Sequence, residues 1–151
     1  MQGWLARLLA MDSVSQLLAA LARRAPADPE TIARLIERSG VKLPDEYLTF
    51  LAASDGGDGD VGERWLEIWP VARVLDELES GPRYEGVMLF AGDGANTVFG
   101  FDRFRDGEVV EGDWIGLNRD EVVAHGAFGE FLRGLAYGTG LRRLSCASVP
   151  E

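Results

Sequence analysis

Five stretches of the chain carry apolar residues at helical spacing, and the region between the fourth and fifth alternates them on a period of two. Val14, Leu17, Leu18 and Leu21 stand at i, i+3, i+4 and i+7. They follow Asp12-Ser13-Val14-Ser15-Gln16, in which Ser13 and Gln16 have capping-box spacing. This predicts a first helix over residues 12–25, broken by Ala25-Pro26-Ala27-Asp28-Pro29. Asp28 then caps a second helix with Pro29 at its first position, Ile32, Leu35 and Ile36 as its stripe and Gly40 at its end. A third helix has both ends written in. Pro44 fits its first position, Asp45 and Glu46 meet the positive end of its dipole, and Asp55-Gly56-Gly57 stops it. Its apolar stripe is Tyr47, Leu48 and Leu51, widened by Phe50. Val71, Val74, Leu75 and Leu78 predict a fourth helix over Val71–Glu79. Phe128, Phe131, Leu132 and Leu135 predict a last one, starting at Glu121 or at Ala127 and running to Tyr137.

Strands fill the middle. Trp65–Trp69 is closed by Pro70. Val87–Ala91 and Asn96–Asp102 flank the turn Gly92-Asp93-Gly94-Ala95, and Glu108–Glu111 follows the turn Arg105-Asp106-Gly107. Gly112-Asp113 reads as a bulge or a further turn before Trp114-Ile115-Gly116-Leu117. The pattern predicts an α+β fold, with a single antiparallel, meander-like sheet of about five or six strands packed with helices from both chain ends. No repeat, linker or internal boundary interrupts it, so residues 1–151 are expected to form one domain.

Charge sharpens this picture. The formal net charge is −10, and it is concentrated. From Leu43 to Glu121 there are 19 acidic residues against 6 arginines, a local −13, while the remainder is +3. Such a surface repels nucleic acid, whose binding depends on Lys and Arg neutralising phosphates. It attracts a basic protein, or else it only aids solubility. No apolar run reaches the ~18 residues of a membrane span. In Met1–Met11 an arginine, Arg7, interrupts the apolar residues and no basic region precedes them, which argues for amphipathic helical turns rather than a secretory leader. Cys146 is the only cysteine, so the chain can form no internal disulfide, and a cytoplasmic location is expected.

Little in the sequence points to catalysis. His125 is the only histidine, and no Ser or Cys stands in a nucleophile motif; His125-Gly126 is expected at the start of the last helix, partly exposed. Asp55–Glu63 holds several carboxylates and glycines, but no register of an EF-hand fits: starting at Asp55 puts Gly57 at the third position, and starting at Asp58 puts Gly62 at the fifth. It reads as an acidic flexible loop with no bound metal. Gly92-Asp93-Gly94-Ala95 is too short to cradle a phosphate and lacks a nearby Lys. The adjacent acids Asp45/Glu46, Asp76/Glu77 and Asp120/Glu121 suit solvated helix faces and helix N-termini. Trp65, Trp69 and Trp114 lie in predicted strands, where Trp serves the core or anchors a partner.

The order of these pieces resembles the SUKH superfamily, in particular its SMI/KNR-type branch. The residues that carry the resemblance are Gly40-Val41-Lys42-Leu43-Pro44-Asp45-Glu46-Tyr47, Phe50-Leu51, Asp55-Gly56-Gly57, Leu66-Glu67-Ile68-Trp69-Pro70, Leu89-Phe90-Ala91-Gly92-Asp93-Gly94 and Phe99-Gly100-Phe101-Asp102. It covers residues 28–136; the N-terminal helix and the tail 138–151 lie outside it. Members often have Asn-Gly where this chain has Asp55-Gly56. The resemblance implies a non-enzymatic protein-binding module without cofactor. Bacterial relatives are associated with immunity to polymorphic toxins, many of them nucleases, and fungal relatives with regulation of cell-wall synthesis and signalling. The motif residues are then determinants of the fold. Fourteen arginines against one lysine suit a GC-rich bacterial genome and favour the immunity reading. The alternative is a regulatory or scaffold domain in cell-envelope or stress signalling. Under the immunity reading the expected contacts with a basic toxin are the acids Asp58, Asp60 and Glu63, with Asp76, Glu77 and Glu79 on the following helix.

Overall fold

The computed structural model describes residues 14, 16–21, 23–62, 64–80, 86–114 and 122–137. The helices are α1 (residues 14 and 16–19), α2 (Pro29–Ser39), α3 (Asp45–Ala53), α4 (Val71–Glu79) and α5 (Phe128–Tyr137). The strands are β1 (Gly57–Val61), β2 (Arg64–Ile68), β3 (Val87–Gly92), β4 (Thr97–Asp102), β5 (Glu108–Asp113) and β6 (Val123–Gly126), with a 3-10 turn over Arg103–Arg105. The six strands form one sheet in chain order, each antiparallel to the next. This is the α+β meander that the alternating segments predict.

Helix boundaries follow local chemistry, with small departures. α2 begins at Pro29 and ends on Gly40 at φ 69°, but Asp28 does not cap it through its side chain. That carboxylate instead accepts a 3.5 Å bond from the Thr31 hydroxyl. Pro44 stands one residue earlier than expected, before the first helical residue Asp45. α3 closes at Ser54, whose N–H reaches the Phe50 carbonyl. The Ser54 hydroxyl is buried; it donates to the Gly56 carbonyl at 2.7 Å and accepts from the Arg24 N–H at 2.8 Å. One side chain thus ties the chain before α2 to the end of α3. The last helix starts at Phe128, after Ala127, and Glu130 reaches back to the Ala127 N–H at 2.9 Å, as the acid of a capping box does.

Three stretches depart from the sequence reading. Asp55–Glu63 reads as a loop, yet Gly57–Val61 forms the first strand of the sheet. Gly and Asp have low strand propensity, so the pattern does not announce a strand. Pairing with β2 and the burial of Val61 supply what propensity lacks. His125 is not at a helix start: it lies in β6, a short strand paired with β5 across a register shift between Val109 and Val110. Trp114 follows β5 rather than opening a strand, and residues 115–117 lie outside the described residues, as do the tail and Cys146.

The core is aromatic. Phe90 and Phe101 stack at 4.1 Å on β3 and β4. Tyr47 from α3 sits 5.3 Å and 5.1 Å from these two rings, and Phe128 from α5 lies 6.0 Å from Tyr47. Phe131 closes on Phe99 at 4.8 Å. Helices from both halves of the chain therefore cover one face of the sheet. Leu35, Tyr47, Leu51, Phe90 and Phe101 are all fully buried. Ring pairs of this kind add about 0.5–1.5 kcal/mol each beyond the area they bury. Pro44, Tyr47, Leu51, Trp69, Phe90 and Phe101, which the sequence reading takes as structural, all stand at or in this core; Pro44 alone is half-exposed.

Candidate functional site

Side chains alternate across a strand, and cross-strand partners share a face. On the β1–β2 hairpin this sorts the residues sharply. Gly57 pairs with Ile68, Gly59 with Leu66 and Val61 with Arg64. Val61, Leu66 and Ile68 are fully buried on that side. Asp58 pairs with Glu67 and Asp60 with Trp65, so three acids and one tryptophan project from the opposite side. Trp65 is 45% exposed, unusual for the largest apolar side chain. Its indole lies against the β3–β4 turn, where a Cβ on Gly94 would stand 3.3 Å from Nε1. The tip of the hairpin is anchored at Gly62, which has φ +65° and faces the Ala136 carbonyl of α5 so closely that a Cβ would overlap it.

The three strand-region tryptophans have different fates. Trp69 is buried; its ring meets Trp114 edge-on at 6.1 Å, and the Arg73 guanidinium lies 3.8 Å over it. Trp114 is half-buried. Trp65 alone among them is offered to solvent. Periodicity could not separate Trp65 from Trp69, which have the same parity. The difference arises beyond the end of β2, where α4 and Trp114 cover Trp69.

The structure divides the acids expected to meet a partner. Asp58 and Asp60 share the outer hairpin face. Asp58 is 3.6 Å from the Arg24 guanidinium, with both side chains about a third exposed (35% and 37%), a pair of little energetic weight. Asp76, Glu77 and Glu79 stand on α4, which packs against α2 and β3. Asp76 is exposed, Glu77 is half-buried, and Glu79 pairs with Arg38 of α2 at 3.2 Å. Glu63 lies outside the described residues. Glu67, which the sequence reading passed over, joins the hairpin group through its pairing with Asp58; its alternation with Leu66 and Ile68 was the available signal.

Other acids have structural tasks. The Asp55 carboxylate accepts the Val71 N–H at 2.9 Å and so caps α4 from sixteen residues away. Asp93 accepts the Ala95 and Thr97 N–H groups at 2.9 Å and 3.2 Å, which fixes the β3–β4 turn. Asp102 is fully buried; it accepts the Phe104 N–H at 3.0 Å and lies 3.4 Å from Arg105 Nε. These three belong to the motifs quoted above, and each holds backbone in place.

His125 and Glu111 form an enclosed ionisable pair, with Nε2 and Oε1 2.8 Å apart. The His125 ring rests on Phe131 at 5.2 Å and Phe99 at 6.1 Å. That wedged position suits a packed edge of the core. The Tyr47 hydroxyl is buried with no hydrogen-bond partner among the described residues. Burial, and secondarily the charge of Asp55, push its ionisation well above the ordinary tyrosine range. Among the described residues no three His, Cys, Asp or Glu side chains stand together to hold a metal ion. Likewise no helix there is long and apolar enough to cross a membrane.

The model of the SMI1 / KNR4 family (SUKH-1) matches residues 26–134, from just before α2 into α5. No curated protein matches the chain. The ordered motifs, the structural duties of their aspartates and this match agree: the chain belongs to the SMI1/KNR4 family (SUKH-1).

Proposed function

We propose that this SMI1/KNR4-family chain is a non-enzymatic binding module, an immunity protein that neutralises a cognate toxin domain in the cytoplasm by direct contact. Family membership supports the general class. The single observation that carries the finer reading is the outer face of the β1–β2 hairpin, where Asp58, Asp60 and Glu67 surround the exposed Trp65. Carboxylates on an exposed face suit a basic partner, and a basic nuclease must hold phosphate with Lys and Arg. Trp is the residue type most favoured as an interface anchor. Asp58 and Asp60 are the acids of this face that meet the partner, and Glu63 with Asp76, Glu77 and Glu79 are proposed as further contacts on the ground of charge. The local −13 accelerates encounter with a positive partner. The test is co-expression with the toxin domain encoded beside the gene. Protected growth and a stable complex support the reading; unprotected growth with no complex refutes it.

A further inference from the structure

β1 is the first strand of the sheet, so one of its edges pairs with β2 and the other with no strand among the described residues. In an antiparallel ladder alternate residues turn their N–H and C=O groups away from the partner strand. Such an edge is a template for another strand unless charge, a bulge or a covering element blunts it. β1 pairs with β2 without a register shift through all five of its residues. Its charge is one-sided. Asp58 and Asp60 stand on the face of Trp65 and Glu67, and the other face carries Gly57 and Gly59, which have no side chain, and the buried Val61.

We propose that β1 receives an extended segment of its partner as an added strand, with basic residues on one face of that segment and apolar residues on the other. The proposal rests on the immunity reading above and specifies how the toxin would be gripped. Residues directly opposite on neighbouring strands bring their Cβ atoms to ~4.5–5.5 Å. Basic side chains facing Asp58 and Asp60 therefore meet carboxylates, while the intervening apolar side chains meet the backbone of Gly57 and Gly59 and the side of Val61. Arg24 already lies 3.6 Å from Asp58, an internal example of the cation this position accepts. Trp65, across from Asp60, offers a ring face on which an incoming guanidinium can rest. Main-chain bonds supply affinity in this mode and alternate side chains supply specificity.

The rival explanation is that Asp58 and Asp60 only keep an exposed edge from self-pairing. A synthetic peptide alternating arginine with valine separates the two, with a peptide of equal composition and its arginines in one block as control. Amide exchange and the Trp65 indole resonance are followed by NMR on the full chain. The alternating peptide is expected to slow exchange at outward-facing β1 amides about tenfold or more. It should shift the Trp65 indole, and the D58N/D60N variant should bind it about tenfold more weakly. Unchanged exchange, or an equal response to the blocked peptide, overturns the proposal. The toxin domain gives the second arm. A neutralised toxin whose complex leaves Gly57–Val61 unprotected refutes strand addition and leaves the immunity reading intact. A protected edge with the peptide but no toxin complex does the reverse.

Discussion

The β1–β2 and β3–β4 hairpins are built from strands of nearly equal length in the same sheet, and they do opposite things with their side chains. β3 is buried at all six positions and β4 at five of six, so this hairpin has no free face. β1–β2 buries one face under Val61, Leu66 and Ile68 and leaves Asp58, Asp60, Trp65 and Glu67 on the other. The same division runs through the aspartates. Asp55, Asp93 and Asp102 hold backbone N–H groups, whereas Asp58 and Asp60 look outward. The family motifs thus largely record what the fold needs, and the candidate binding face combines Asp58, Asp60 and Trp65, which lie between them, with Glu67, the outward residue of one motif.

If this contrast is right, truncating the buried hairpin should have the largest effect. Phe101→Ala removes a ring stacked on Phe90 and contacted by Tyr47. It should lower stability by ~3–5 kcal/mol in urea unfolding. Trp65→Ala should cost less than ~1 kcal/mol. An equal loss for Trp65→Ala would erase the distinction between the two hairpins.

An intermediate loss is expected where the outer hairpin is anchored. Gly62→Ala places a Cβ on the Ala136 carbonyl at a residue with φ +65°. It should cost ~1–3 kcal/mol. A neutral Gly62→Ala in the same assay would mean that the hairpin tip is not held by α5.

A smaller effect, of opposite sign, is expected at Tyr47, whose hydroxyl is buried without a partner among the described residues. Tyr47→Phe should be neutral or stabilising by up to ~1 kcal/mol at neutral pH. The pH dependence has a definite sign. The folded-state ionisation is raised above the unfolded value near 10.0. The contribution is therefore complete below pH 10 and is lost as pH rises beyond it, by up to ~1.4 kcal/mol per pH unit. Melting temperatures from pH 9 to pH 11.5 should fall more steeply for the wild type than for Tyr47→Phe, by about the slope of one phenol. Parallel curves would remove Tyr47 from the alkaline response.

Much of the fold was legible because period and punctuation agreed. Val71, Val74, Leu75 and Leu78 marked a helix whose observed bounds are those expected, and the turns at Gly92–Ala95 and Arg105–Gly107 marked the ends of three strands. Gly92 nonetheless belongs to β3, and β5 runs on through Gly112-Asp113, which reads as a bulge or turn but pairs with β4. The failures share one cause: tertiary pairing overrode local preference. β1 is rich in Gly and Asp and becomes a strand only because β2 lies beside it. β6 has four residues, and it places His125 against Glu111 across the register shift rather than on a helix. The duty of Asp55 could not be read from sequence, because the N–H it caps belongs to Val71, brought near only by the fold. The candidate site was half legible. The acids Asp58 and Asp60 stand out by charge, but their union with Trp65 and Glu67 required a strand register that the loop reading hid.

The smallest expected effect on stability, paired with a large one on binding, comes from Asp58 and Asp60. D58N/D60N should leave the unfolding midpoint within ~0.5 kcal/mol of the wild type. The decisive measurement is the association rate of the wild type and of D58N/D60N with the toxin domain proposed as the partner, across a salt series. The wild type should associate fast at low salt and slow steeply as the screening length shortens to ~8 Å near physiological ionic strength. The variant should start slower and show a flatter salt dependence. Identical rates and slopes for the two proteins, with the complex still forming, would contradict the assignment of the β1–β2 outer face as the surface that meets the toxin.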